Sequence, residues 1–170
     1  SVYSAIRQTT VGIFSRTVLL ASLVLLSPVS YGQGSDSFPP VTDAMLQDPA
    51  PSDWLMWRRT LDSWGFSPLD EVNRDNVDQL RMVWTHGLGT GTGEITPLAY
   101  DGVLYVPQHN DVIEAIDART GDQIWEYGRD HPEGLYDYVG VNARNNRNIA
   151  IFGNLIINTS DDGFVFALDA

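Results

Sequence analysis

From Leu80 onward, apolar and polar positions alternate in short runs, and glycine-containing pairs separate the runs. A period of two over a few residues marks a half-buried strand. "RMVWTHG" (81–87) predicts one such strand. "ITPLAY" (95–100) and "VLYVPQ" (103–108) flank Asp101-Gly102, a two-residue hairpin signal. "DVIEAID" (111–117) and "DQIWEYG" (122–128) flank a turn at Thr120-Gly121. "NIAIFG" (148–153) and "NLIINTS" (154–160) meet around Gly153-Asn154, and Asp162-Gly163 leads into a last run, "FVFALDA" (164–170). The strands are short, antiparallel and punctuated by turns, which predicts an all-β architecture rather than βαβ units.

Upstream the pattern changes. "DEVNRDNVDQL" (70–80) spaces Val72, Val77 and Leu80 for a short amphipathic helix, with Asn73 as its cap. Residues 33–53 read as an irregular lead-in, because Pro39, Pro40, Pro49 and Pro51 interrupt regular structure there.

The strand runs repeat. "VLYVPQHNDVIEAIDA" and "NLIINTSDDGFVFALDA" share their endings, and Ala118 and Ala170 stand 52 residues apart. A period near 50 built from about four strands predicts a β-propeller blade. In "AIDARTGDQIW" (115–125), Asp117 and Thr120-Gly121 supply turn chemistry, and Trp125 falls on an outer strand where its ring can wedge between blades.

The first 32 residues have another character. Arg7 and Arg16 precede an apolar run from Val18 to Leu26, and a small-residue site at Ser30-Tyr31-Gly32 follows. This is the layout of a secretory signal peptide, and the apolar core is short for a membrane span. Export to the periplasm is therefore expected, with residues 1–32 removed. All 22 acids lie after residue 33, against eight of the ten arginines, so the exported part is strongly acidic. Such a surface repels phosphate backbones and argues against a nucleic-acid partner. The chain has no cysteine, which excludes disulfides, thiolate metal sites and an acylated N-terminal cysteine.

Trp54 and Trp57, "WGFSPLDEVNRDNVDQLRMVW" (64–84), "EITPLAYDGVLYV" (94–106) and "AIDARTGDQIW" together resemble the N-terminal part of the pyrroloquinoline quinone (PQQ)-dependent alcohol dehydrogenases. The resemblance covers residues 54–170 and implies an exported, eight-bladed propeller that oxidises alcohols, of which this chain holds about two blades. It implies PQQ and a calcium or lanthanide ion as cofactors, an alcohol-type substrate, and a cytochrome c or a quinone as electron acceptor. It also implies that the catalytic base and the metal ligands lie downstream, so that the fragment alone is inactive.

Three positions match family residues that contact the quinone. Glu94, in "GEITPL", matches a glutamate near the cofactor's edge; Arg147, in "NNRNIAIFG", an arginine beside the reactive carbonyls; Thr159, in "IINTSDDG", a threonine bonded to a cofactor carboxylate. A planar tricarboxylate needs fixed donors and a cation, and arginine offers both. Read from the residues alone, Glu94 is equally a solvated strand-end carboxylate, Arg147 or nearby Arg144 a surface arginine, and Thr159 an ordinary strand residue. The chain departs from the family at Val141 and Asn142, where many members carry two adjacent cysteines.

Other motifs lead elsewhere. "GLGTGTGE" (87–94) has the wrong spacing for a dinucleotide loop and opens no helix. His86, His109 and His131 do not stand at metal-ligand spacings, and Asn158-Thr159-Ser160 fits a glycosylation pattern that often arises by chance. The competing reading is a non-enzymatic propeller that binds or scaffolds other proteins; such lipoproteins need the acylated cysteine this chain lacks.

Overall fold

A computed structural model describes residues 38–91, 93–140 and 147–170, all within one unit, Asp36–Ala170. The signal peptide expected over residues 1–32, and Val141, Asn142 and Arg144, lie outside the described residues.

Among the described residues, seven strands form two antiparallel sheets, each in simple sequential order. The first holds β1 (Leu98–Tyr100), β2 (Val103–Pro107), β3 (Ile113–Asp117) and β4 (Gln123–Tyr127). The second holds β5 (Ala150–Phe152), β6 (Leu155–Thr159) and β7 (Val165–Asp169). The turns form where the hairpin chemistry put them. Asp101 and Gly102 have φ of 49° and 78°, the paired left-handed residues that match the twist of a two-residue hairpin. Asp117 Oδ1 accepts from the amides of Arg119 and Thr120 at 2.8 and 3.1 Å, which builds the β3–β4 turn and holds the Asp117 carboxyl below its usual range.

The 52-residue repeat extends to the pairing register. Leu98↔Tyr105, Val103↔Asp117 and Pro107↔Ile113 recur as Ala150↔Ile157, Leu155↔Asp169 and Thr159↔Val165. Even the bonds outside the ladders recur. Ala118 N to Gly102 O and Ala170 N to Asn154 O are both 2.9 Å; Gln108 N to Val112 O and Ser160 N to Phe164 O are both 2.7 Å.

The core lies between the sheets. Leu98, Tyr100, Tyr105, Ile113 and Ala115 pack with Ile151 and Ile156, and Trp125, Phe166 and Leu168 close the margin. Trp125 stands on β4 with its ring centre 6.1 Å from that of Tyr105, so it packs against the core the two sheets share.

Three upstream elements differ from expectation. Residues 70–80 form only one 3-10 turn, Val77–Gln79. Val72, Val77 and Leu80 are all more than half exposed, so no packing supports a helix. Asn side chains also compete for the backbone: Asn73 Oδ1 accepts from Asp75 N, and Asn76 Nδ2 donates to Glu71 O at 2.7 Å. Asn73 therefore makes a local turn instead of capping a helix.

Residues 81–87 form no strand. Side chains anchor this segment instead. Trp84 Nε1 donates to Ala118 O at 3.1 Å, and the two His86 ring nitrogens lie 3.2 Å from Gly121 O and 3.1 Å from Glu114 Oε2. The irregular lead-in, finally, contains α1, Asp43–Gln47, capped by the Thr42 hydroxyl. Val41 is buried and pairs with Gly153 through two 2.8 Å backbone bonds.

Candidate functional site

In these meanders the start of the innermost strand, the end of the second, the start of the third and the end of the fourth all meet one edge of the sheet. Every position matched to a quinone contact lies at that edge. Glu94 stands four residues before β1, Arg147 three before β5, and Thr159 is the last residue of β6.

Glu94 and Arg147 are brought together. Arg147 Nε donates to Glu94 Oε2 at 2.7 Å, and Nη2 lies 2.7 Å from the same oxygen. The backbone reinforces the contact, since Thr96 N donates to Arg147 O at 3.0 Å. Both side chains are more than half exposed, so the pair adds little to stability, about 0–1 kcal/mol. Among the described residues Arg147 Nη1 has no partner. The pair thus presents a partly used, solvent-facing donor fork. Thr159 is exposed on the same edge and bonds to neither residue.

The repeat tests whether folding alone requires these residues. A shift of 52 places Arg147 at the position of Ile95 and Thr159 at that of Pro107. The first sheet forms the same register without a guanidinium or a hydroxyl there. Neither side chain is a requirement of the blade.

Gly89 and Gly91, upstream of Glu94, pack closely against their neighbours. Gly89 N donates to Gln108 Oε1 at 2.6 Å, and a Cβ on Gly91 would stand 2.6 Å from the His109 ring. Glycine lets this strand of chain lie against the β2–β3 loop.

At the same ends of the strands is a buried polar cluster that sequence reasoning missed. Asp111 Oδ2 accepts from Ser160 Oγ at 2.6 Å and from Asp161 N at 3.2 Å, and lies 2.9 Å from His131 Nε2. The Tyr136 hydroxyl lies 3.2 Å from His131 Nδ1, so both ring nitrogens are engaged. Arg129 donates to Ser160 Oγ at 3.1 Å and to Asp162 Oδ2 at 2.6 Å. The bond from Arg129 pulls the Asp162 carboxyl down to about 2. Burial, with the nearby Asp111 charge, pushes its neighbour Asp161 up. His131 carried no motif; the one readable signal was that Asp111 falls, on the repeat, where the second loop has Gly163.

A separate concavity of about 460 Å³ lies at the opposite ends of the strands, between Met45, Ser52, Asp53, Tyr100 and Asp101. Its charged lining is two acids, which suits no anionic ligand. Among the described residues no group of three or more His, Asp or Glu is placed to hold a metal ion, and no helix is long and apolar enough to cross a membrane.

Known proteins resemble this chain over most of its length. The dehydrogenase subunit of the quinone alcohol dehydrogenase of Gluconacetobacter polyoxogenes is 32% identical over 154 residues, covering 89% of this chain and 20% of that protein. A quinohemoprotein alcohol dehydrogenase of Pseudomonas putida is 31% identical, over 89% of this chain and 21% of its own length. The crystal structure of quinohemoprotein alcohol dehydrogenase from Comamonas testosteroni superposes with a TM-score of 0.69 at 31% identity, over 76% of this chain and 20% of that one. A europium-containing methanol dehydrogenase superposes with a TM-score of 0.66 at 26% identity, over 75% and 22%. The chain therefore spans about a fifth of the length of the relatives it matches. The two sheets are blades of a β-propeller. The profile for the glucose, ethanol and alcohol dehydrogenase β-propeller domain, named for PQQ, matches residues 54–170, and this chain belongs to that family.

Proposed function

We propose that this chain is the N-terminal part of an exported, periplasmic PQQ-dependent alcohol dehydrogenase, and that Glu94, Arg147 and Thr159 form one side of its cofactor site. The observation that carries this reading is the exposed Glu94–Arg147 pair, with Thr159 on the same edge. The donor chemistry fits the group. A rigid guanidinium and a hydroxyl can each meet an oxygen of a planar tricarboxylate, whereas the charged residues lining the concavity at the opposite ends of the strands are two acids.

When bound, PQQ supplies the acceptor for the hydride leaving the alcohol carbon. Arg147 would hold the cofactor by its oxygens and supply positive charge to stabilise the reduced form. Glu94 orients that guanidinium through the 2.7 Å bonds. Thr159 would offer its hydroxyl to a carboxylate of the cofactor. The catalytic base and the ligands of a calcium or lanthanide ion are assigned to residues outside this chain. Reducing equivalents leave to a cytochrome c or a quinone. The leader over residues 1–32 directs export.

The test uses the whole protein that carries this chain. PQQ is titrated into it by absorbance, and ethanol-dependent dye reduction is then measured. Arg147→Ala is expected to lower turnover by about 10²–10³, the usual loss when one transition-state donor is removed. Normal turnover in Arg147→Ala, with turnover lost in Arg144→Ala, would show that the neighbouring arginine faces the quinone. A whole protein that binds no PQQ would support the scaffold reading instead.

A further inference from the structure

We infer that Asp111 is a positioning residue for the cofactor edge: from the first blade it holds the end of β6, and with it Thr159, through Ser160. The inference rests on the cofactor reading above and assigns a role to a residue that reading does not use.

The two equivalent loops make the argument. Gln108–Val112 and Ser160–Phe164 close with the same 2.7 Å backbone bond, so they occupy the same place in their blades. In the second, the left-handed position is Gly163, at φ 85°. Glycine is what such a backbone favours. In the first, the same position is Asp111, at φ 56°, and Asn110 before it is also left-handed, at φ 62°. A loop that only had to turn would use glycine in both places. Backbone strain kept at a non-glycine residue points to a job for its side chain.

That side chain reaches away from its own sheet. Asp111 is 2% exposed, and one of its oxygens meets Ser160 Oγ, Asp161 N and His131 Nε2. Two of these partners belong to the β6–β7 loop and the third to the β4–β5 connection. Ser160 has one hydroxyl proton, given to Asp111, while its oxygen accepts from Arg129. The hydroxyl is therefore locked from both sides. Ser160 directly follows Thr159, so the lock fixes the peptide that carries Thr159. The second strand of the second blade ends where a carboxylate of the first blade anchors it. A ligand hydrogen bond tolerates a misplacement of only about 0.5 Å, so a proposed Thr159 donor needs such an anchor.

The test measures PQQ affinity and thermal midpoint in the whole protein. Asp111→Gly suits the backbone and removes the carboxylate. It is expected to bind PQQ about tenfold more weakly, a loss typical of a charge-assisted hydrogen bond, with the midpoint lowered far less than the affinity. Asp111→Asn keeps one acceptor oxygen and tolerates the left-handed backbone, so it is expected to recover part of the affinity. The decisive readout is the cycle with Thr159→Ala. If Asp111 acts through Thr159, adding Asp111→Gly to Thr159→Ala weakens binding no further. Unchanged affinity in Asp111→Gly, or fully additive losses in the double variant, would overturn the inference. If Asp111→Gly does not fold, Ser160→Ala takes its place in the same cycle with the same two outcomes. If the wild-type protein binds no PQQ, the cofactor reading fails and this inference fails with it. If Arg147→Ala loses affinity while Asp111→Gly does not, only this inference falls.

Discussion

The two sheets share a register and differ in burial. β3 and β7 pair with their neighbours at positions shifted by 52, residue for residue. Yet Ile113, Glu114, Ala115 and Ile116 on β3 are all buried, while Val165, the counterpart of Ile113, is 70% exposed. In the first sheet β3 is covered on both faces: by the core shared with the second sheet on one, and on the other by the segment that docks Trp84 and His86. The second is covered on one face among the described residues; Phe152, Leu155 and Val165 lie open on the other. Register is thus set by turns and local alternation, and burial by what lies alongside. The same strand can be core or surface without changing its pairing.

The strongest way to break this comparison is a matched truncation. Ile113→Ala is expected to cost about 2–5 kcal/mol in denaturant unfolding, the usual range for a buried aliphatic side chain cut back to alanine. Val165→Ala in the same chain should fall within about 0.5 kcal/mol of wild type, as exposed substitutions do. In the whole propeller the second difference should grow, because a further blade would cover Val165. Equal costs at the two sites in the isolated chain would show that the sheets are not differently covered.

A smaller effect separates the turns. Gly121 has φ 78°, and a Cβ there would lie 2.6 Å from the Trp84 ring. Gly153 has φ 59° and open space around it. Gly121→Ala should cost about 1–3 kcal/mol beyond the left-handed penalty shared by both, since the docked indole must move. A loss of equal size at Gly153 would mean that the ring has no part in it.

How much of this was readable follows the same division. The strands from Leu98 on, their hairpins and the 52-residue period were legible, because alternation and glycine turns are local signals. The strand at 81–87 and the helix at 70–80 were misread, because their apolar residues suit those elements only if something packs against them. Trp84 and His86 found side-chain anchors; Val72 and Val77 found none. The candidate site was legible only through the family resemblance. Glu94 and Arg147 stand 53 residues apart, and no periodicity joins them. The Asp111–His131–Ser160 cluster joins three segments, and only the mismatch of Asp111 with Gly163 marked it beforehand.

The smallest expected effects are in acid, where the two halves of one loop should respond oppositely. Asp162 is held down to about 2 by the bond from Arg129. Its contribution is full above the ordinary carboxylate range, roughly pH 4, and is lost as the pH falls toward 2. Asp162→Asn should therefore lower the thermal midpoint at pH 7, with the deficit shrinking below about pH 4. Asp161 is pushed up by burial, so its charged form detracts at neutral pH. Asp161→Asn should raise the midpoint at pH 7, and that gain should fade as acid protonates the wild-type carboxyl. A midpoint series over pH for both variants checks the signs; parallel curves would contradict the assignment.

The account stands or falls on what the Glu94–Arg147 edge faces. The direct measurement is a crystal structure of the whole protein with PQQ bound. The prediction is that Arg147 and the Thr159 hydroxyl each lie within hydrogen-bond distance of a cofactor oxygen, with Glu94 still paired to the guanidinium. Density for PQQ at the opposite ends of the strands, or at this edge but touching neither Arg147 nor Thr159, would contradict it.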